Sequence, residues 1–224
     1  MFGLDHDIQA LSNHAPMLVV ILIAGLLGLR HATDPDHIAA VTTLAAGEDG
    51  DKRAAGRLGL AWGLGHATSL FVFGVPIVLF NGYLPEAVQV CAEAAVGVLI
   101  IALAVRLLVR WRSGMLRHAH PHPARTLRQA YGIGVIHGTG GSAGVGILLL
   151  ATIPGAAQAL AALAVFAVCT ALSMAAASTT FGFVLTHEAI ARRYFVVAPA
   201  LGALSLAFGL WYALGAVGAV PYML

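Results

Sequence analysis

A cluster of ionisable residues lies inside an apolar stretch near the amino terminus. It reads Arg30-His31-Ala32-Thr33-Asp34-Pro35-Asp36-His37, within an apolar run over 17–46. On one continuous helix His31, Asp34 and His37 fall within an arc of roughly 120°, since they are three residues apart, whereas Asp36 points elsewhere. Imidazole suits nickel, copper, zinc and iron, and mixed nitrogen and oxygen sets fit Ni(II) or Cu(II). We therefore expect these three side chains to ligate a transition metal.

The remaining members of the cluster are expected to support this site. Asp36 assists the ligands, and Arg30 pairs with Asp34 or Asp36 to balance the charge of the metal-free site. Pro35 breaks the helix because it has no N–H and its ring clashes with the carbonyl of His31, which we expect to become available to a ligand. The alternative is a buried salt bridge with capping histidines.

A third candidate histidine lies in the next apolar stretch, in Gly63-Leu64-Gly65-His66-Ala67-Thr68-Ser69. Its glycines allow close approach of helices. Ionisable residues at membrane depth are costly and by default mark an ion or substrate path. We expect His66 as the next metal ligand, with Thr68 and Ser69 in support. A hydrogen bond to a neighbouring helix is the alternative role for this histidine.

A glycine-rich stretch over 132–144 contains His137. Glycine weakens helices, so we expect the chain to unwind around His137. The hydroxyls of Thr139 and Ser142 would then form a second half-site that faces the first, with His137 as an assisting metal residue. Packing of helices through small residues is the alternative.

Histidines outside the apolar stretches form two peripheral groups. The amino-terminal group could capture cations before they reach the buried cluster, or belong to a polar tail. The other group alternates with small residues in a loop over 110–128, which could bind metal transiently or be a solvated basic loop. The two groups are His6 and His14, and His118, His120 and His122.

Composition places these residues in a membrane. Hydrophobic residues make up 59% of the 224 residues and charged residues 10%, against about 25% charge in soluble domains. This excludes disordered and nucleic-acid-binding classes, and a soluble enzyme of this composition would expose large apolar patches. A helix needs about 20 apolar residues to cross a bilayer. Six stretches qualify: 17–46, 58–80, 86–109, 129–152, 158–185 and 195–219.

The basic residues predict the orientation of these spans. All but one of the 12 Lys and Arg residues fall at the first, third and fifth connections. The positive-inside rule makes those connections cytoplasmic. We expect a multi-pass protein of the cell membrane with both termini outside.

The two halves of the chain are similar to each other in sequence pattern. His31-Ala32-Thr33 in the first span corresponds to His137-Gly138-Thr139 in the fourth, and each half is one polar span followed by two others. A repeat of three spans must be inverted in the membrane, as in many transporters. We predict an all-α membrane protein: a single transmembrane domain over 1–224, with inverted three-helix repeats 17–109 and 129–219 and locally broken first and fourth helices.

Enzyme motifs are incomplete. Gly140-Gly141-Ser142-Ala143-Gly144 fits G-x-S-x-G, but an intramembrane serine hydrolase needs a histidine base, and the sixth span contains none. His187-Glu188 is followed by Ala191, where a zinc protease needs its second histidine. We expect a transporter without a cofactor and without an ATP-binding motif, and keep a hydrolase at Ser142 as the less favoured alternative.

The cluster resembles a family signature. Arg30 to Ile38 resembles the R-H-A-x-D-A-D-H-I motif of the nickel/cobalt transporter family, with Pro35 as a departure and Thr33 where an apolar residue is usual. Gly65-His66-Ala67-Thr68 resembles the G-H-S-T motif of the same family. The resemblance implies Ni²⁺ or Co²⁺ as the substrate, and metal-binding or metal-selecting roles for five residues: His31, Asp34, Asp36, His37 and His66.

The second half departs from the family pattern. The family's L-G-x-D-T-A-T-E motif is matched loosely by 137–144, without a carboxylate. Family members usually have eight spans, so this chain resembles the shorter six-span permeases of the urease-accessory type. We expect uptake of nickel or cobalt, with export through the same site as the alternative. Expected partners are a divalent metal ion, the lipid bilayer and a cytoplasmic metallochaperone, with no nucleic acid.

Overall fold

The structure is a computed structural model that describes residues 17–45, 52–80, 85–113, 126–140, 153, 155–186 and 194–221. Within these ranges the regular secondary structure is α-helix, joined by short turns, and there is no β-strand, as predicted. The helices are α1 (Met17–His31), α2 (Pro35–Ala45), α3 (Lys52–Phe80), α4 (Glu86–Arg112), α5 (Leu127–His137), α6 (Ala156–Thr186) and α7 (Tyr194–Ala216).

Four of these helices are long and apolar enough to cross a membrane, namely α3, α4, α6 and α7. The bent pair of α1 and α2 is a fifth candidate if it counts as one span. Large apolar side chains are exposed on the outer surface, including Leu26 at 67% and Phe80 at 80%. Such a surface suits lipid, because a soluble protein rarely exposes large contiguous apolar patches.

The first span is broken at the predicted place. α1 ends at His31, and α2 starts at Pro35 at an angle of 44°. Proline suits the first position of a helix, where its missing N–H is not needed. The carbonyl of Asp34 accepts the N–H of Ile38 at 3.0 Å, which caps α2. The break is therefore a second helix start rather than a kink in one helix.

This turn corrects one expectation about the backbone. The carbonyl of His31 accepts the N–H of Asp34 at 3.1 Å, so it is engaged in the turn rather than left without a partner. Another correction concerns α3, which starts at Lys52 rather than at 58. Arg53 and Arg57 accordingly lie in its first two turns instead of in a connection.

The helix of the fourth predicted span ends at the histidine around which the chain was expected to unwind. α5 starts with a capping box, in which Thr126 and Gln129 bond each other's backbone N–H groups, an arrangement that satisfies two unpaired donors. It ends at His137, with Gly138 as its C-cap. Residues 141–152 lie outside the described residues, so the six-span count stays a prediction.

Glycines let two helices meet backbone to backbone. α3 packs against both α5 and α6, α1 packs against α6, and α4 packs against α7. A side chain at Gly65 would overlap the carbonyl of Tyr131, and one at Gly134 would overlap the carbonyl of Trp62. The crossing of α3 and α5 therefore depends on both glycines, and it brings His66 beside the end of α5.

Candidate metal centre

Five ionisable side chains from four helices meet inside the bundle. The carboxyl end of α1, the first turn of α2, the middle of α3 and the end of α5 each contribute. None is more than 4% exposed: His31, Asp36, His37, His66 and His137. Burial of this many ionisable groups is costly unless they are paired or coordinate a metal.

Three histidines form the first of two overlapping groups. Nε2 of His31 lies 3.0 Å from Nε2 of His66, and the ring centroid of His37 lies 4.4 Å from that of His31. One potential ligand atom from each residue lies within 4.8 Å of the others. Two imidazole nitrogens that share a metal at about 2.0–2.1 Å each are separated by about 3 Å. The spacing of His31 and His66 therefore suits two ligands of one ion.

Asp36, His37 and His137 form the second group, again within 4.8 Å of one another. Oδ1 of Asp36 lies 3.2 Å from Nδ1 of His37, and its Oδ2 lies 3.4 Å from Nε2 of His137. The rings of His37 and His137 have centroids 4.4 Å apart. His37 thus belongs to both groups.

Carboxylates contact the Nδ1 atoms of two histidines. Asp34 Oδ2 lies 3.2 Å from His31 Nδ1, and Asp36 Oδ1 lies at the same distance from His37 Nδ1. A carboxylate on Nδ1 holds the N–H there and leaves Nε2 with the lone pair that binds metal. Arg30 lies 3.8 Å from Asp34, with its side chain 46% exposed.

The positions of the two aspartates differ from expectation. Asp34 was expected to ligate the metal, and Asp36 was expected to point away from the other ligands. Asp34 instead lies on the edge of His31 opposite His66, paired with Arg30, and belongs to neither group of potential ligands among the described residues. Asp36 points into the cluster. The reason is the turn over 32–34, which starts a new helix and invalidates the spacing rule for one continuous helix.

Several polar atoms of the cluster have no hydrogen-bond partner within the described part of the chain: Asp36 Oδ2, His37 Nε2, His66 Nδ1 and both ring nitrogens of His137. The contact of 3.4 Å between Asp36 and His137 is longer than an ordinary N–H···O hydrogen bond of about 2.7–3.2 Å. A buried polar group without a partner costs about 1–3 kcal/mol. A bound cation would compensate those atoms that carry a lone pair.

The described hydroxyls expected to support the site donate to backbone carbonyls. Ser69 donates to the carbonyl of Val135 at 2.6 Å, and Thr139 donates to Ile136 at 2.7 Å. Thr68 donates to Leu64 at 2.9 Å. The other expected residues lie outside the described residues, namely His6, His14, His118, His120, His122 and Ser142.

Two aromatic residues beside the cluster were not predicted. The ring centroid of Trp62 lies 5.7 Å from that of His37 and 5.6 Å from that of His137. Phe166 lies 5.4 Å from His31. Trp62 precedes His66 by four residues, which places both on one face of α3, and this spacing could have indicated it. Phe166 had no comparable signal.

Two comparisons with known proteins found similar sequences. Residues 17–120 match the family model described as high-affinity nickel-transport protein. The chain is 27% identical over 212 residues to the urease accessory protein UreH of Bacillus sp. (strain TB-90), an alignment that covers 89% of this chain and 92% of that protein. No solved structure matches the chain. The resemblance predicted from the motifs is thus confirmed as a match of residues 17–120 to the model of the high-affinity nickel-transport proteins.

Proposed function

We propose that this protein carries nickel, or cobalt, into the cell, and that the ion binds to His31, His37 and His66. The observation that carries this proposal is the convergence of three buried imidazoles, two of them with Nε2 atoms 3.0 Å apart, in the segment that matches the nickel-transport family. Imidazole suits both metals. Ionisable residues inside a membrane by default mark an ion path.

The two aspartates have different roles in this proposal. Asp34 orients His31 through Nδ1, and Arg30 balances its charge. Asp36 orients His37 and is the one carboxylate inside the cluster, so it offsets part of the charge of the ion. A metal-ligating histidine usually has such a partner on its other nitrogen.

The proposed architecture is six spans in two inverted repeats, 17–109 and 129–219, within one transmembrane domain. Reciprocal contacts between α4 and α7 support it. Gly97 lies against Ala213, and Gly209 lies against Ile101. Each helix thus places a glycine on its partner in the same way, as expected for two elements related by a two-fold axis.

The other helix contacts also agree with two repeats that can be interchanged. Interchange of the repeats maps the pair α1 and α6 onto the pair α5 and α3, and both pairs are in contact. Transporters with inverted repeats bind substrate near the midplane at broken helices, and the cluster lies where α1 and α5 end. We further propose that both termini are outside and that the basic connections are cytoplasmic, where a metallochaperone would accept the ion. In this proposal the protein is a permease and catalyses no reaction.

Uptake of radioactive nickel by cells tests the proposed function. Cells with the wild type should accumulate nickel, and cells with His37→Ala should stay at background. The matched control is Tyr131→Phe, because Tyr131 is exposed and its hydroxyl contacts Thr68. Membrane levels of all three proteins are compared by immunoblot. Excess cobalt, zinc or manganese as competitors ranks the selectivity.

Two results would contradict the proposal. A wild type that lowers the nickel content of the cell would indicate export through the same site. Unchanged nickel content in every strain would refute the assignment of the metal.

A further inference from the structure

We propose that the cluster offers the ion two successive positions and that His37 transfers it from the first to the second. The first position is formed by His31, His37 and His66. The second is formed by Asp36, His37 and His137. This inference rests on the proposed function, because it requires that the cluster binds nickel or cobalt.

The second position has the features of a ligand set. Asp36 is 2% exposed and His137 is 0% exposed. Within the described chain Asp36 Oδ2 and both ring nitrogens of His137 make no hydrogen bond, although Oδ2 and Nε2 lie 3.4 Å apart. Two buried groups that face each other without a hydrogen bond are suited to an ion between them. Carboxylate and imidazole together bind divalent transition metals.

The two positions exclude each other. Both require His37, and a neutral imidazole has one ring nitrogen with a lone pair at any time. Nδ1 of His37 faces Asp36 at 3.2 Å, and Nε2 is buried without a hydrogen-bond partner in the described ranges. Nε2 is therefore the atom left for the first position and Nδ1 the atom for the second. One chain holds one ion.

The transfer conserves charge and protons on the ring. In the first position the ion is bound by Nε2 and the proton is on Nδ1, hydrogen-bonded to Asp36. During transfer the bond between the ion and Nε2 breaks and the bond to Nδ1 forms. Asp36 accepts the proton from Nδ1 and passes it to a water molecule, which returns a proton to the ring at Nε2. The imidazole thus stays neutral and Asp36 is again a carboxylate.

The transfer also moves the ion between helices. His31 and His66 are on α1 and α3, whereas His137 ends α5. Asp36 and His37 lie in the first turn of α2, which is in contact with α4, α6 and α7 and is therefore held in place. Trp62 lies at the second position, since its ring is beside both His37 and His137.

Nickel binding to the purified full chain in detergent tests the two positions. Titration calorimetry should give one ion per chain for the wild type. His66→Ala and His137→Ala should each still bind one ion, more weakly, because each leaves one position intact. His37→Ala should bind none. The absorption spectrum of bound Co²⁺ should differ between His66→Ala and His137→Ala, because three imidazoles and two imidazoles with a carboxylate are different ligand fields.

Nickel flux into liposomes then tests the transfer. His137→Ala should bind nickel yet transport it at least tenfold more slowly than the wild type, and the larger His137→Asn should do the same. Tyr131→Phe, on the same helix, should keep the wild-type rate. The retained binding of one ion shows that the slow variants are folded.

Each contrary result has a defined meaning. Wild-type flux in His137→Ala would refute the second position as a step in transport. A His66→Ala protein that binds no ion, or a His137→Ala protein that binds none, would refute two separable positions and leave one site. A wild type that binds neither nickel nor cobalt would overturn the proposed function itself.

Discussion

Two helix crossings in this protein are built alike and carry different chemistry. At one, α1 meets α6, and a side chain at Gly28 would meet the carbonyl of Phe166. At the other, α5 meets α3, and a side chain at Gly134 would meet the carbonyl of Trp62. In both cases a buried histidine ends the shorter helix three residues after the glycine. The ring of this histidine contacts the side chain of the same aromatic residue whose backbone carbonyl lies against the glycine.

The difference lies one turn further along the long helices. The backbone nitrogen of His66 is 2.9 Å from the position of a Cβ at Gly134, and that of Thr170 is 3.1 Å from the position of a Cβ at Gly28. The two residues therefore occupy equivalent places. His66 joins the cluster, whereas Thr170 is fully buried and its hydroxyl has no hydrogen-bond partner in the described chain. The packing is symmetric and the metal chemistry is not.

Replacement of the two crossing glycines should have the largest effect. Gly28→Ala and Gly134→Ala each place a methyl group on a carbonyl oxygen of the partner helix, so the helices must separate. Overpacking typically costs about 1–3 kcal/mol, and a rigid backbone neighbour places both variants at the upper end. Thermal unfolding in detergent, followed by tryptophan fluorescence, measures the loss.

The matched control is Gly132→Ala, since a side chain there would meet no described atom within 4 Å. It should be at least as stable as the wild type, because alanine favours a helix over glycine by up to about 1 kcal/mol. A large loss in one crossing variant and none in the other would show that the two crossings are not equivalent.

Exchange of the equivalent residues should have the next largest effect. His66→Thr removes an imidazole from the first group of ligands, and we expect nickel affinity to fall by more than the roughly 10–100-fold that loss of an outer-shell partner costs. Thr170→Val keeps the shape and removes a hydroxyl that makes no bond to any described residue, so both affinity and stability should stay near those of the wild type.

Titration calorimetry with nickel measures both variants. A Thr170→Val protein that loses metal affinity would place the second crossing within the metal site. An unchanged affinity in His66→Thr would remove the asymmetry between the crossings.

The spans of the bundle follow from the sequence because a bilayer sets their length. The predicted ranges 86–109 and 195–219 correspond to α4, Glu86–Arg112, and α7, Tyr194–Ala216. His31, His37 and His66 were expected together because of the two motifs that carry them, and not because of helix spacing, since they lie on three helices. Apolar length is enough to place the spans.

The role of Asp36 could not be predicted in the same way. Its direction depends on the turn over 32–34, where the chain starts a new helix, and its contact with His137 joins α2 to α5. Such a contact needs the packing of α3 against α5 through Gly65 and Gly134. A helical wheel contains no information on it, because the wheel describes one helix at a time.

The ends of α1 and α5 differ in a further, smaller way, because a carboxylate lies beside His31 and none of the described carboxylates lies beside Nδ1 of His137. Asp34 contacts Nδ1 of His31, whereas Nδ1 of His137 has no such partner among the described residues. Asp34→Asn should lower nickel affinity by about 10–100-fold, the usual cost of an outer-shell partner. Arg30→Gln is the control, because a half-exposed ion pair contributes about 0–1 kcal/mol. Equal losses in both variants would mean that the ion pair, and not the orientation of His31, determines affinity.

The serine bonds at the two crossings should give the smallest difference. Ser69 donates to Val135 on α5 at 2.6 Å, and the bond joins two helices. Ser173 is within reach of two carbonyls, that of Gly28 on α1 at 3.1 Å and that of Thr170 on its own helix at 3.0 Å. Hydrogen bonds between membrane helices contribute about 0.6 kcal/mol on average.

Ser69→Ala should therefore lower stability by about 0.6 kcal/mol or slightly more. Ser173→Ala should cost less, because its hydroxyl divides its bonding between an interhelical and a local acceptor. Matched unfolding curves in the same detergent measure the difference, with Thr179→Ala on α6 as the control, since that hydroxyl donates to Ala175 of its own helix. If Ser173→Ala loses more stability than Ser69→Ala, the crossing of α1 and α6 depends more on its serine than the geometry predicts. The two crossings would then be alike in shape but not in the energy of their serine bonds.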